Sequence, residues 1–357
     1  MFHVGPQSLV AALRQRYWPI NAQKTAKNTL KKYVICFKVK PKTFKQIMAP
    51  LPKDRVNPSR PFSIVGVDFC GPINLKLHRR SRKISKAYIA LFICFVTKAV
   101  HIELVGDLTT PSFIGAFRRF ISRRGVCAKI YSDNAKTFIG ADREIRRIVA
   151  KALTDPLMLQ FFSANSISWK FIPVHSPNFG GLWEAAIKTC KFHLKRITCN
   201  AIFTFEEYQT LLTQVEAIMN SRPLIPINDD PNSLESLTPG HFLIGEAPVT
   251  LPSTSTWQNL GSINNENLKS QWIKLQERLQ QFWKRWSREY LLELQKRYKW
   301  QTNEPIPKIG TLVLVKHPYL QPSNWLLGRI TSLHQSTDTL PRVAELLTKN
   351  GMITHFH

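Results

Sequence analysis

Residues 61–72 read PFSIVGVDFCGP, and residues 128–134 read AKIYSDN. Each is a short apolar run with the character of a strand, and each has an acid at its end, Asp68 or Asp133. A carboxylate is disfavoured inside a buried strand unless it is paired or bound to a metal. At the carboxyl end of a strand it can point into the crevice where α/β sheets bind ligands. Around these two runs the pattern fills in. Gly71-Pro72 is expected to break the first strand. YIALFICFV (88–96) and VHIEL (100–104) predict a hairpin. TPSFIGAFRRFISRRG (110–125) sets Phe113, Phe117 and Phe120 at helical spacing and stops at Gly125. ADREIRRIVAKAL (141–153) reads as a helix with Arg143, Arg146 and Arg147 on its wet face, and SWKFIP (168–173) as another strand. Strands alternate with helices through residue 221, which predicts an α/β sandwich around a mixed sheet.

A third acid, Glu184, stands just inside a helix that follows a Gly-Gly turn in HSPNFGGLWEAAIKTCKFHLKRI (175–197). Three converging carboxylates suit phosphoryl transfer. Two Mg²⁺ ions about 3.5–4 Å apart can activate the attacking oxygen and stabilise the leaving one, and Mg²⁺ takes oxygen ligands. Each acid also has a plainer reading. Asp68 suits a turn before Gly71-Pro72, Asp133 an Asx-turn with Asn134, and Glu184 the positive end of a helix. Lys188, Lys191 and Lys195 follow Glu184 at spacings that share its helical face. A DNA phosphate backbone passing along the helix would meet them; a solvated basic face is the alternative. Asn134 is a candidate for a phosphate contact. His175, in the Pro173–Gly181 loop, reads better as a surface histidine.

These surroundings resemble the retroviral-type integrases, most closely the integrase region of Bel/Pao-type long-terminal-repeat retrotransposon polyproteins. The residues that carry the resemblance are GVDFCGP (66–72), SDNAKTF (132–138), the block around Glu184, NSRPL (220–224), LTPGHFLIG (237–245) and WKRWSREYLLELQKRYKW (283–300). The resemblance spans nearly the whole chain. It implies a ribonuclease-H-like integrase core with a small helical N-terminal module, a C-terminal long helix and a small SH3-like β-barrel. It places the family's metal-binding Asp-Asp-Glu triad on Asp68, Asp133 and Glu184, with Mg²⁺ or Mn²⁺, two ions, as cofactor. It implies cutting of DNA ends and their joining to target DNA, multimeric action and a nuclear location.

The expected segments are a degenerate zinc-binding-like module (1–40), a basic Pro-rich linker (41–60), the core (61–222), an extension with a long amphipathic helix (223–300) and a barrel (301–357). In the first, Leu9, Val10, Leu13, Tyr17 and Trp18 predict one helix, and Pro19 opens a second that ends near Cys36. The family's zinc module uses two histidines and a CxxC pair. Here only His3 and Cys36 match, and Tyr33 holds the first cysteine's place. Two ligands cannot close a tetrahedral zinc site, so structural zinc is not expected. Ala135 stands where many integrases have Gly. Residues 268–300 carry the long helix, and 309–316, 324–332 and 341–347 are strand candidates for a barrel that ends unfinished.

Charge agrees with a polyanionic partner. The chain of 357 residues has 50 Lys+Arg against 23 Asp+Glu, a net +27. Residues 1–60 hold a single acid, Asp54, and every later segment is also basic. With 43% hydrophobic residues it is not a disordered basic tail. No apolar run reaches the ~20 residues of a membrane helix, so DNA is the expected partner and a membrane is not. Six cysteines without a CxxC pair fit a reducing compartment, and Cys70 and Cys94 read as buried thiols. Two other functions fit parts of this pattern: a catalytically inactive or host-co-opted DNA-binding protein, and a ribonuclease-H-type nuclease.

Overall fold

A computed structural model of the protein describes residues 5–34, 52–78, 81–107, 109–132, 155–171, 189–198, 202–228, 230, 232–250, 266–294, 307–317, 320–335 and 341–356. The chain divides into two compact units, Met1–Leu51 and Pro52–His357.

In the first unit, α1 (Pro6–Arg14) and α2 (Ala22–Lys32) meet through Val10, Ala22 and Ala26. α1 is shorter than its apolar pattern suggests. Tyr17 and Trp18 lie outside it and are exposed, and α2 opens at Ala22 rather than Pro19. The residue before a proline resists the helical conformation, and Asn21, with φ at +55°, turns the chain before α2 begins.

The second unit is built on one strand, β1 (Ile64–Lys76). β2 (Ile84–Cys94) pairs antiparallel with it, and β3 (Val100–Val105) with β2, as the expected hairpin. On the opposite side β4 (Lys129–Ser132) runs parallel to β1, and β5 (Ser168–Phe171) parallel to β4. The order is β3-β2-β1-β4-β5, and β6 (Phe203–Thr204) joins β1 at its far end, beside Leu75 and Lys76. Gly71-Pro72 does not end β1. The pair is absorbed as a bulge between Cys70 and Ile73. Gly71 has φ at +143°, and a Cβ there would lie 2.8 Å from Tyr88 Cδ1 and 3.1 Å from the Ala87 carbonyl. Only glycine fits, and proline is tolerated because a bulge frees it from the ladder.

Alternation along the strands makes two cores. Val65, Val67, Phe69 and Phe92 face α4 (Thr110–Arg124) and α5 (Pro156–Ala164), where Phe113, Phe117, Phe120 and Phe162 pack. α4 has the expected phenylalanine stripe and stops at Gly125. α5, not anticipated, starts at Asp155-Pro156, where Asp155 accepts a hydrogen bond from the Leu157 N–H. The helix expected at 141–153 lies outside the described residues. On the other face, Ile89, Leu91, Ile93, Ile102 and Leu104 pack under α6 (Phe205–Asn220), the helical segment 189–198 and α8 (Glu266–Leu294). Between α6 and α8 lies the short α7 (His241–Ile244).

β3 is an edge strand, and side chains close its edge. Asn220 accepts from the Val100 N–H and donates to the Val100 carbonyl, both at 2.8 Å. Glu216 accepts from the Ile102 N–H at 2.8 Å, and Arg119 donates to the Leu104 carbonyl at 3.0 Å. A buried charge network lies just inside. His101 and Glu103, each 1% exposed, are 3.0 Å apart. Arg119 and Arg123 donate to Glu103, and Arg124 to Glu216. Burial alone would lift the Glu103 carboxyl, but hydrogen bonds from His101 and Arg119 hold it below its ordinary value of 4.5. Burial would depress the His101 imidazole, but hydrogen bonds to Glu103 and Glu216 raise it above 6.5.

β7 (Ile225–Pro226) and β8 (Ser236–Leu237) pair antiparallel as a short ribbon. At the C-terminal side, β9 (Leu312–Leu314), β10 (Leu327–Gln335), β11 (Pro341–Thr348) and β12 (Gly351–Phe356) form an antiparallel sheet in the order β12-β11-β10-β9. β12 was not anticipated from the sequence. α8 is described over 29 residues, and residues 295–300 of the expected helix lie outside the described residues. It joins this sheet to the core: Trp283 Nε1 donates to the Leu320 carbonyl at 2.9 Å, and Trp325 stands edge-on to Trp283, Trp286 and Tyr290.

Asn220→Ala removes both hydrogen bonds to Val100 and leaves buried backbone groups unpaired. It is expected to destabilise the protein by about 2–4 kcal/mol, measured as a fall in the urea midpoint. The buried pair sets a pH window. Glu103 contributes stability above 4.5 that is lost as pH falls through its lowered folded value, and His101 contributes below 6.5 and loses it as pH rises through its raised one. Urea midpoints should therefore drop on the acid side of 4.5 and on the alkaline side of 6.5. The acid limb should flatten in Glu103→Gln; an unchanged acid limb would contradict the network.

Candidate catalytic site

The site lies on β1. On its β2 side β1 is paired from Val65 to Lys76, apart from the bulge. On its other side β4 pairs with Ile64–Val67 and β6 with Leu75 and Lys76; residues 133–154, which follow β4, lie outside the described residues. Asp68, next after Val67, pairs in register with Leu91 on the β2 side. Its side chain is 17% exposed. Oδ1 accepts from the Phe69 N–H at 2.7 Å, and Oδ2 accepts from Lys191 Nζ at 2.6 Å.

Lys191 arrives on the helical segment 189–198, which is held from two directions. Cys190, Leu194 and Ile197, at spacings of four and three, bury one stripe in the core under the sheet. His193 is buried on another side, with Nε2 2.6 Å from Glu289 of α8. Burial lowers the His193 pKa despite the glutamate. Lys195 and Arg196 are exposed, and the Arg196 guanidinium lies 3.3 Å over the half-exposed Phe192 ring. Burial pushes the Cys190 thiol well above its ordinary value and Cys127 to about 12, so both are inert packing groups. Cys94 is buried as expected, whereas Cys70 is half-buried.

β4 is fixed just as firmly. Ser132, its last residue, lies between Val67 of β1 and Phe171 of β5 and accepts a hydrogen bond from Trp169 Nε1 at 2.9 Å. Asp54, on the four-residue helix α3 (Lys53–Val56), accepts from Lys129 Nζ at 2.8 Å and from the Tyr131 hydroxyl at 2.6 Å. These hydrogen bonds, Lys129's first, lower the Asp54 pKa, while burial and then Asp54 push Tyr131 to about 12.

Of the residues singled out from the sequence, the structure places Asp68, Lys191 and Lys195. It brings the first two into contact, and Lys195 faces solvent. Asp133, Asn134, His175, Glu184 and Lys188 lie outside the described residues, as do His3 and Cys36. Among the described residues no group of three or more His, Cys, Asp or Glu side chains is arranged to hold a metal. Helical spacing suggested that Lys191 meets a phosphate. It gave no sign of the Asp68 pairing, because 123 residues separate the two. Ser132 and Trp169 were also missed as supports of the site, and their hydrogen bond has no sequence signature.

A family model described as a family of unknown function (DUF5641) matches residues 270–355, which hold most of α8 and the C-terminal sheet. No curated protein matches the chain. Among solved structures, a chain of the simian T-cell lymphotropic virus intasome in complex with PP2A regulatory subunit B56 gamma is 13% identical, with 99% of this chain and 93% of that chain covered and a TM-score of 0.36. The HTLV-2 integrase catalytic core domain in complex with magnesium, in its trimeric form, is 16% identical over 52% of this chain and 97% of that one, with a TM-score of 0.32. Its dimeric form gives 16%, 51%, 97% and 0.32. TM-scores this low carry no argument about fold or function.

Lys191→Met leaves Asp68 with the Phe69 N–H as its one hydrogen-bond partner among the described residues. Both side chains of the pair are partly exposed, so the expected loss is below about 1 kcal/mol, read from urea denaturation at low salt. The loss should shrink at high salt, and Asp68→Asn in the Lys191→Met background should cost nothing further. A full additive loss would show that the two residues act separately.

Proposed function

We propose that the protein is a DNA-integrating phosphoryl transferase of the retroviral integrase type, which processes DNA 3′ ends and joins them to target DNA. The observation that carries this reading is the β1–β4 register. Val67 and Ser132 are paired on adjacent parallel strands, and the next residues along the two chains are Asp68 and Asp133. The strand that carries Asp68 and the strand that leads to Asp133 are thus level at Val67 and Ser132. An antiparallel meander continued by two parallel strands, with an acid on the central strand, also supports the ribonuclease-H-like reading of the core.

The donor chemistry suits a hard divalent cation. Asp68 Oδ2 already has a cationic partner, the Lys191 ammonium, and an all-oxygen carboxylate set of Asp68, Asp133 and Glu184 is what Mg²⁺ or Mn²⁺ takes. Bound there, two ions would supply activation of the attacking oxygen and charge stabilisation of the leaving one. The protein's own task is positioning. The Phe69 N–H orients the Asp68 carboxylate, and the Trp169–Ser132 hydrogen bond fixes the strand end that leads to Asp133. Lys188, Lys191, Lys195 and Asn134 meet DNA phosphates, with Lys191 moving from Asp68 to do so. The reaction is in-line substitution without a covalent enzyme intermediate: water first, then the freed 3′-hydroxyl, attacks phosphorus, and the leaving oxygen departs on the opposite side. The protein acts as a homo-oligomer in the nucleus.

A second reading, a DNA-binding protein without catalysis, is favoured by one observation: a lysine occupies the Asp68 carboxylate. End joining decides between them. Purified full-length protein with labelled DNA ends in Mg²⁺ should give strand-transfer products, and Asp68→Asn or Asp133→Asn should lower them by a factor of at least about 10³, on the scale of losing groups central to catalysis. Joining that survives both changes rejects the triad. DNA binding with no joining by the unmodified protein selects the second reading.

A further inference from the structure

The β1–β2 hairpin carries a charge cluster that the proposed site does not use. Between Lys76 and Lys86 the sequence holds six Lys and Arg, His78 and no acid; Arg79 and Arg80 lie outside the described residues. β1 runs nine residues beyond Val67 to Lys76, about 30 Å at 3.3 Å per residue, with β2 paired along it.

This extension is a fixed platform. On one face Leu75 and Ala87, 3% and 1% exposed, are buried in the core beside Phe203 of β6. The register pairs Asn74 with Lys86 and Lys76 with Ile84, so strand alternation puts these four on the opposite face. Lys86 is exposed there and Ile84 is 55% exposed, while Arg82, Lys83 and the 68% exposed Leu77 stand at the tip. Among the described residues no carboxylate forms an ion pair with Lys76, Arg82, Lys83 or Lys86. Of the two acids in the first turn of α6, Glu206 and Glu207, the second accepts from the Thr204 N–H in its capping box. Clustered cations repel one another and destabilise the folded chain. A polyanion laid across the platform removes that repulsion and releases its own counterions.

We infer that the Lys76–Lys86 hairpin is a second DNA-binding surface, which grips the phosphate backbone of a duplex without reading its sequence. It is separate from the lysines that follow Glu184, and it holds whether or not the acids catalyse joining. The platform has a shallow, rigid, sequence-neutral chemistry: cations for phosphates and two exposed aliphatic side chains, Leu77 and Ile84, for sugar edges.

The test is the salt dependence of duplex binding by the full chain, followed by fluorescence anisotropy from about 50 to about 200 mM salt. Changing Lys76, Arg82, Lys83 and Lys86 together to Gln should lower the slope of log K against log salt by about 3 to 4, near 0.9 for each phosphate no longer neutralised, and weaken binding equally for unrelated sequences. Lys86→Gln alone should lower the slope by about 1, which keeps the test decisive if the fourfold variant misfolds. Thermal melts should be unchanged or raised, because the changes remove like charges, three of them exposed and that of Lys76 half-buried. An unchanged slope in both variants overturns the inference. So does a variant that loses binding to anionic lipid vesicles while keeping its duplex affinity, since the hairpin would then serve a membrane. End joining by the unmodified protein is scored separately: no joining with the slope still lowered by the hairpin variants rejects the integrase reading alone, so the two failures give different results.

Discussion

β1 is the strand on which the second unit depends, because it carries strands on both of its edges. A strand in mid-sheet must pair its backbone groups on both sides. β1 does so almost without interruption against β2, and among the described residues over Ile64–Val67 and Leu75–Lys76 against β4 and β6. Continuous pairing with β2 carries it past Asp68, which stands beside the helix-borne Lys191, to Lys76. The Gly71 bulge belongs to the same segment, and its tight approach to Tyr88 shows how closely β2 still follows.

The opposite end of the sheet faces a different problem. β3 presents an edge, and exposed edges invite pairing with other chains. Here Asn220, Glu216 and Arg119 take the place of another strand. This requires charges at depth, which is costly unless every one is matched. Glu103 is matched by His101, Arg119 and Arg123, and Glu216 by Arg124 and the Ile102 N–H. The segment after Asn220 ties the same edge to the rest of the unit. Arg222 donates to the Met219 and Lys98 carbonyls, and Ser221 accepts from Trp325 Nε1. Burial lowers the Arg222 pKa to about 10, which still leaves it charged at neutral pH. NSRPL (220–224) therefore has a physical reading that its place in a motif did not supply: it closes the β3 edge, staples the β2–β3 turn and receives the C-terminal tryptophan cluster.

Much of the architecture was legible as pattern. The hairpin from Tyr88 to Leu104, the phenylalanine stripe of α4 with its glycine stop, and the tryptophan spacing of α8 are local regularities, and each became the expected element. Misreadings came where a local signal was outweighed. Gly71-Pro72 is a strong breaker by composition, but pairing along β2 carries the strand through it. Tyr17 and Trp18 have the spacing of a helix face, yet the chain leaves the helix before them. α5 went unread although Asp155-Pro156 is an ordinary helix opening.

By itself the sequence determined the net charge, the apolar strand-like runs that carry Asp68 and lead to Asp133, and the lysines at helical spacing behind Glu184, because those depend on residue type and on periods of two and 3.6. Only the tertiary structure decided that Lys191 lies on Asp68, that α6 side chains finish the β3 edge, and that the basic residues from Lys76 to Lys86 ride on an anchored hairpin rather than a loose loop. Such contacts join residues scores of positions apart. They follow from how strands pair and helices pack across the chain, and no local period records them.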